Sequence, residues 1–115
     1  MKLRENQVDS VGGRSVKPVP EARILRKQAG DWLKQKRAEA GLSQVDLGAR
    51  LELKYYTFIS QVENGFSRVP TDMMQAWATH LGLAPSDFAR HLLVYYEPEL
   101  HRLLFGTSDH DRHSL

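Results

Sequence analysis

The sequence predicts an all-α fold: a compact bundle of five to six helices, with a flexible arm before it and a polar tail after it. Three observations carry this reading. Apolar residues recur three and four apart through most of residues 20–105, the period of a helix packed on one face. Helix-starting residues (Pro20, Ser43, Thr71, Pro85, Pro98) and helix-stopping ones (Gly41, Asn64-Gly65, Gly82, Gly106) cut that pattern into segments. No segment alternates well enough to be a strand, and no internal repeat is visible. A chain of 115 residues, 41% of them hydrophobic, supports one modest helical core but not a multi-layer enzyme.

Each element follows from its local chemistry. Residues 1–19 are polar, carry Gly12-Gly13 and end in Lys17-Pro18-Val19, which reads as a flexible arm. Pro20 suits a first helical position and Glu21 the first turn. Ile24, Leu25, Ala29, Trp32, Leu33 and Ala40 then recur at helical spacing up to Gly41, with Gly30 a candidate break inside the run. Ser43 is a good N-cap, paired with Asp46 three residues on, and helix two runs to about Leu51. Helix three starts near Tyr55 or Tyr56 and ends at Asn64-Gly65. After a loop, Phe66 to Pro70, Thr71 caps a fourth helix carrying Met73, Met74, Trp77, Ala78 and Leu81, closed by Gly82. Pro85 opens a fifth with Phe88, Leu92 and Tyr95 on one stripe. Pro98 opens a sixth with Leu100, Leu103, Leu104 and Phe105, stopped by Gly106. Residues 107–115 read as a disordered tail.

Composition narrows the function classes. There is no cysteine, hence no disulfide frame and no thiolate metal site, and a cytoplasmic location is expected. Met1 to Pro20 has no apolar run, so a leader peptide is not expected. No stretch approaches the roughly 20 apolar residues of a membrane span. The net charge of +2 is unevenly spread: residues 1–70 hold 13 Lys/Arg against 8 Asp/Glu, and residues 71–115 hold 3 against 6. A basic front half suits a protein that faces a polyanion. The five histidines (His80, His91, His101, His110, His113) show no metal-ligand spacing. No nucleophile–base set or paired carboxylates can be placed. Neither metal, cofactor nor enzymatic activity is expected.

The sharpest signal lies in Gly41-Leu42-Ser43-Gln44, Leu47-Gly48, Leu51, Ile59, Val62 and Glu63-Asn64-Gly65. It reads as two short helices joined by a tight turn, with polar residues on the outer face of the second. That is the layout of a helix-turn-helix, which docks in the DNA major groove. Crossing helices need a small residue where their backbones meet, and Gly48 supplies it at a cost of roughly 1 kcal/mol in helix propensity. Leu47, Leu51, Ile59 and Val62 supply the seam between them.

On these residues, together with Ser60 and Pro70, the segment from Leu42 to Pro70 resembles the lambda-repressor/Cro-like (XRE-type) helix-turn-helix family. The likeness extends over helix four and Leu81-Gly82-Leu83 to about Leu93. The resemblance implies a five-helix DNA-binding bundle and transcriptional repression from a symmetric operator. It implies a phosphate contact for Gln44, and free N–H groups at a helix start favour an anion there. Base reading falls to Tyr56, Thr57 and Gln61, and further phosphate contacts to Asn64 and Arg68. Lys54 and Tyr55 flank the same surface as candidate backbone contacts. Two departures from the family stand out. Glu52 occupies a turn position where the family usually has glycine, and Leu53 to Phe58 runs one residue longer than usual.

Other residues carry plainer readings. Phe58 reads as packing. Lys34, Lys36 and Arg37 read as the wet face of helix one, with a phosphate role as the alternative. Leu92, Leu93, Tyr95, Tyr96, Leu100, Leu103, Leu104 and Phe105 form an apolar cluster after the DNA-binding module, a candidate for self-association, with helix six folded back on its own domain as the alternative. The expected division is therefore an arm (1–19), a DNA-binding domain (20–93), a C-terminal helical extension for dimerisation (94–106) and a tail (107–115). The expected partners are double-stranded DNA and a second copy of the chain. The alternatives are an antitoxin holding a toxin through its C-terminal helices, and a protein-interaction module without DNA binding. Arg14 to Lys17 in the arm is a candidate further DNA contact.

Overall fold

A computed structural model describes residues 20–106; the expected arm, with Arg14 to Lys17, and the expected tail, with His110 and His113, lie outside the described residues. The described chain forms six helices: α1 (Pro20–Glu39), α2 (Gln44–Arg50), α3 (Thr57–Glu63), α4 (Met74–His80), α5 (Pro85–Tyr96) and α6 (Pro98–Phe105). A 3-10 turn, Thr71–Met73, leads into α4, and no strand occurs among the described residues. The all-α bundle expected from the sequence is the fold.

The long α1 is the spine. One side packs on α3 and the other on α5, while α2 packs on α3 and α4 on α5. Between them lies a single core of Ala29, Leu33, Leu47, Ile59, Val62, Val69, Trp77, Phe88 and Leu92, all nearly inaccessible to water. Trp77 is its largest member, and Phe58 meets it edge-on at 6.3 Å, so Phe58 packs as expected. Trp32 lies against Phe88 and stacks on His91 at 4.0 Å. Burial holds the His91 imidazole below its ordinary pKa, with help from nearby Lys36.

The helix stops share one geometry. After α1, α2, α3 and α4 the chain makes a paired turn in which the residue two beyond the cap donates its N–H to the carbonyl three residues inside the helix. The bonds are Leu42 to Arg37 (3.1 Å), Leu53 to Gly48 (2.9 Å), Phe66 to Gln61 (2.9 Å) and Leu83 to Ala78 (2.9 Å). Such a turn requires a left-handed residue. Glycine fills it at Gly41, Gly65 and Gly82, but at the end of α2 it is Glu52, with φ of 58°.

Four expectations need correction. Gly30 does not divide α1, which runs unbroken; it is buried because α3 crosses there, and an added Cβ would lie 2.1 Å from the Glu63 carbonyl oxygen. Thr71 does not cap α4: it opens the 3-10 turn behind Pro70, with no side-chain cap bond. The boundary at residues 93 and 94 falls inside α5, which continues to Tyr96; the chain breaks at Glu97, where Pro98 opens a new helix. The C-terminal apolar cluster also splits in two. Leu92 and Tyr96 are buried in the core, whereas Leu100, Leu103, Leu104 and Phe105 on α6 are exposed.

Candidate nucleic-acid interface

The interface is built on the start of α2. Ser43 and Asp46 close a capping box: the Ser43 hydroxyl accepts from the Asp46 N–H at 2.9 Å, and the Asp46 carboxylate accepts from the Ser43 N–H at 2.9 Å. These bonds to Ser43 hold the Asp46 carboxyl below its usual pKa range. Leu47 is buried beneath α2, and Gly48 lies against the residue that begins α3. A Cβ on Gly48 would stand 2.7 Å from the Tyr56 Cβ, so glycine is what lets the second helix enter so close.

Helix α3 starts at Thr57, just past the expected Tyr55 or Tyr56, with Tyr56 as its N-cap. Its inner face is Ile59, Val62 and Glu63, all buried. Thr57, Gln61 and Asn64, at i, i+4 and i+7, fall on the opposite exposed stripe. Asn64 donates to the Ser60 hydroxyl at 3.3 Å. Lys54, Tyr55 and Tyr56 are exposed ahead of the helix, and the Lys54 ammonium lies 5.4 Å from the Tyr55 ring centre. Six of the eight expected site residues thus gather on one exposed surface around α3.

The other two are engaged by carboxylates of their own chain. Gln44 is half-buried and donates from Nε2 to the Glu63 carboxylate at 3.0 Å. Arg68 lies 2.8 Å from Glu97, with its guanidinium 4.7 Å from the Tyr96 ring centre. Tyr96 also accepts, through its hydroxyl, the buried Val69 N–H at 3.2 Å, and burial pushes its phenol above the ordinary pKa. The loop after α3 is therefore tied to the end of α5 at two adjacent residues.

Sequence reasoning missed the ion pair that sets this geometry. Arg37, expected to be wet, is half-buried and forks onto Glu63 with bonds of 2.7 and 3.0 Å, while giving a third to the Leu42 carbonyl at 2.9 Å. Glu63 is 3% exposed, and Arg37 and Gln44 share its two oxygens. One group thereby joins the end of α1, the start of α2 and the end of α3. A signal was present. Glu63 follows Ile59 and Val62 on the buried stripe of α3, and a carboxylate there demands a cation.

No three histidines, aspartates or glutamates among the described residues converge in a group that could hold a metal. No described helix is long and apolar enough to cross a membrane.

The buried seam, the tight turn and the free outer face of α3 together define a helix-turn-helix. Residues 33–88 match the helix-turn-helix family, and the domain they form belongs to the lambda-repressor/Cro-like (XRE-type) branch of DNA-binding transcriptional regulators. No curated protein matches the chain.

Proposed function

We propose that the protein is a homodimeric repressor that binds a palindromic operator, one recognition helix α3 per half-site. The observation that carries this is the set of Lys54, Tyr55, Tyr56, Thr57, Gln61 and Asn64, left exposed on and beside a helix whose inner face is fully packed. In this reading Tyr56, Thr57 and Gln61 face base edges. A glutamine can pair with adenine through two hydrogen bonds, and a threonine methyl can meet that of thymine. Lys54, Tyr55 and Asn64 hold the phosphate backbone. Gln44, braced by Glu63, keeps one N–H for a phosphate oxygen and its carbonyl to accept from the first recognition residue.

Helix α6 supplies the dimer contact. It buries none of its residues and packs chiefly on α5, and Leu103 and Leu104 are 66% and 59% exposed. Two copies joined there would present their α3 helices to half-sites about one DNA turn apart, ~34 Å.

Selection from random duplex DNA, followed by a salt titration and sedimentation of the complex, tests the whole reading. A two-fold symmetric site bound by a dimer, with affinity falling steeply in salt, is expected. Within that site, Gln61→Ala relaxes preference at one position by about 1–3 kcal/mol, whereas Lys54→Ala weakens all sequences alike. No enriched sequence would refute operator binding. A monomer that takes up a different protein on α6 would replace the dimer with an antitoxin-like pairing.

A further inference from the structure

The family match begins at residue 33, but α1 begins at Pro20, so the helix carries an N-terminal half beyond the matched segment. That half does not stand free. The loop after α3 rests on it: a Cβ on Gly65 would lie 2.9 Å from the Lys27 nitrogen and 3.0 Å from its Cα. Beside this contact Arg23, Arg26, Gly65 and Phe66 line an open cleft of about 150 Å³.

The charges around the cleft are unevenly settled. Lys27 pairs with Asp31, Arg37 with Glu63 and Arg68 with Glu97. Arg23 and Arg26 have no carboxylate within ion-pair distance among the described residues, and no acidic residue lines the cleft. Two guanidinium groups without an acid make a site for an anion, and the fork of a guanidinium suits phosphate oxygens. Phe66, 69% exposed, adds an apolar wall that suits a sugar. Gly65 directly follows Asn64, so the cleft begins one residue beyond the exposed stripe of Thr57, Gln61 and Asn64.

We propose that Arg23 and Arg26 form a second backbone-binding site for the same DNA, clamping a phosphodiester that flanks the segment read by α3. The clamp rests on the operator-binding reading above. It adds affinity without sequence preference, because it meets only phosphate and sugar.

The full-length protein and its R23Q/R26Q variant are compared on the selected operator and on an unrelated duplex across a salt series. K36Q is the control: Lys36 lies on the same helix but faces the α5 side, beside Trp32, Asp87 and His91. Each phosphate contact contributes about 0.9 to the slope of log affinity against log salt. The double variant is expected to lose affinity by the same factor on both duplexes and to lower the slope by about 1–2, with K36Q unchanged and all three proteins melting alike. An unchanged slope in the double variant, while the wild type binds its operator in a salt-dependent way, overturns the clamp and leaves the operator reading intact. Loss confined to the operator overturns it too, since that would mean base reading. If the wild type binds no duplex at any salt, operator binding fails and the clamp fails with it.

Discussion

Helices α3 and α6 are nearly equal in length, seven and eight residues, and neither would be stable alone in water. They resolve this in opposite ways. α3 buries Ile59, Val62 and Glu63 and is pinned to α1 and α2 by the Arg37–Glu63–Gln44 bonds. α6 buries nothing, and its leucines face solvent. The lesson is that a short helix takes its fixity from whatever its inner face meets. Because the inner face of α3 is settled within the chain, its outer face is held rigid and free for a ligand. The apolar face of α6 meets too little of its own chain, which is why a second chain is invoked for it.

The comparison breaks most sharply at Glu63. Glu63→Ala strips the carboxylate from a half-buried arginine and leaves Gln44 without its acceptor, so a loss of about 3–5 kcal/mol is expected in denaturant unfolding. A loss below about 1 kcal/mol would mean that apolar packing alone holds α3. Next is Gly30→Ala. Alanine is the better helix former, yet its Cβ would collide with the Glu63 backbone, so a destabilisation of about 1–3 kcal/mol is expected. A gain in stability would show that α1 and α3 separate easily, and α3 would lose its claim to rigidity.

The α6 side is tested by replacing Leu103 and Leu104 together with asparagine. Sedimentation should shift from dimer to monomer while helical content by circular dichroism stays within a few residues of the parent. Collapse of the whole fold would instead show that α6 is part of the core. The smallest effect is expected at Glu52, whose left-handed backbone suits glycine better than any side chain. Glu52→Gly should raise stability by about 0.5–1 kcal/mol without altering DNA affinity. A drop would mean that the glutamate side chain has a role in the turn.

Much of this was legible in the chain because it depends on near neighbours. Ser43 and Asp46 close a box three residues long, Pro85 and Pro98 open their helices, and Gly41, Gly65 and Gly82 stop theirs; each acts through backbone chemistry within one turn. The exposed stripe of Thr57, Gln61 and Asn64 follows from helical period once the seam residues Ile59 and Val62 are recognised. Gly30 was misread for the same reason. Within its own helix glycine is a weak point, and only the crossing of α3 turns it into a contact.

The sequence by itself determined the all-α class, the order of the helices, the helix-turn-helix and the surface of α3 that faces outward, since local periodicity and capping set these. Tertiary structure decided the rest. Arg37 and Glu63 stand 26 residues apart, and Arg68 and Glu97 stand 29 apart, so no local pattern pairs them. Only the packed bundle brings the charges together, takes Leu92 and Tyr96 into the core, and leaves α6 and the Arg23–Arg26 cleft open. Burial belongs to the assembled fold, because it depends on which surfaces remain once every helix has found its neighbour.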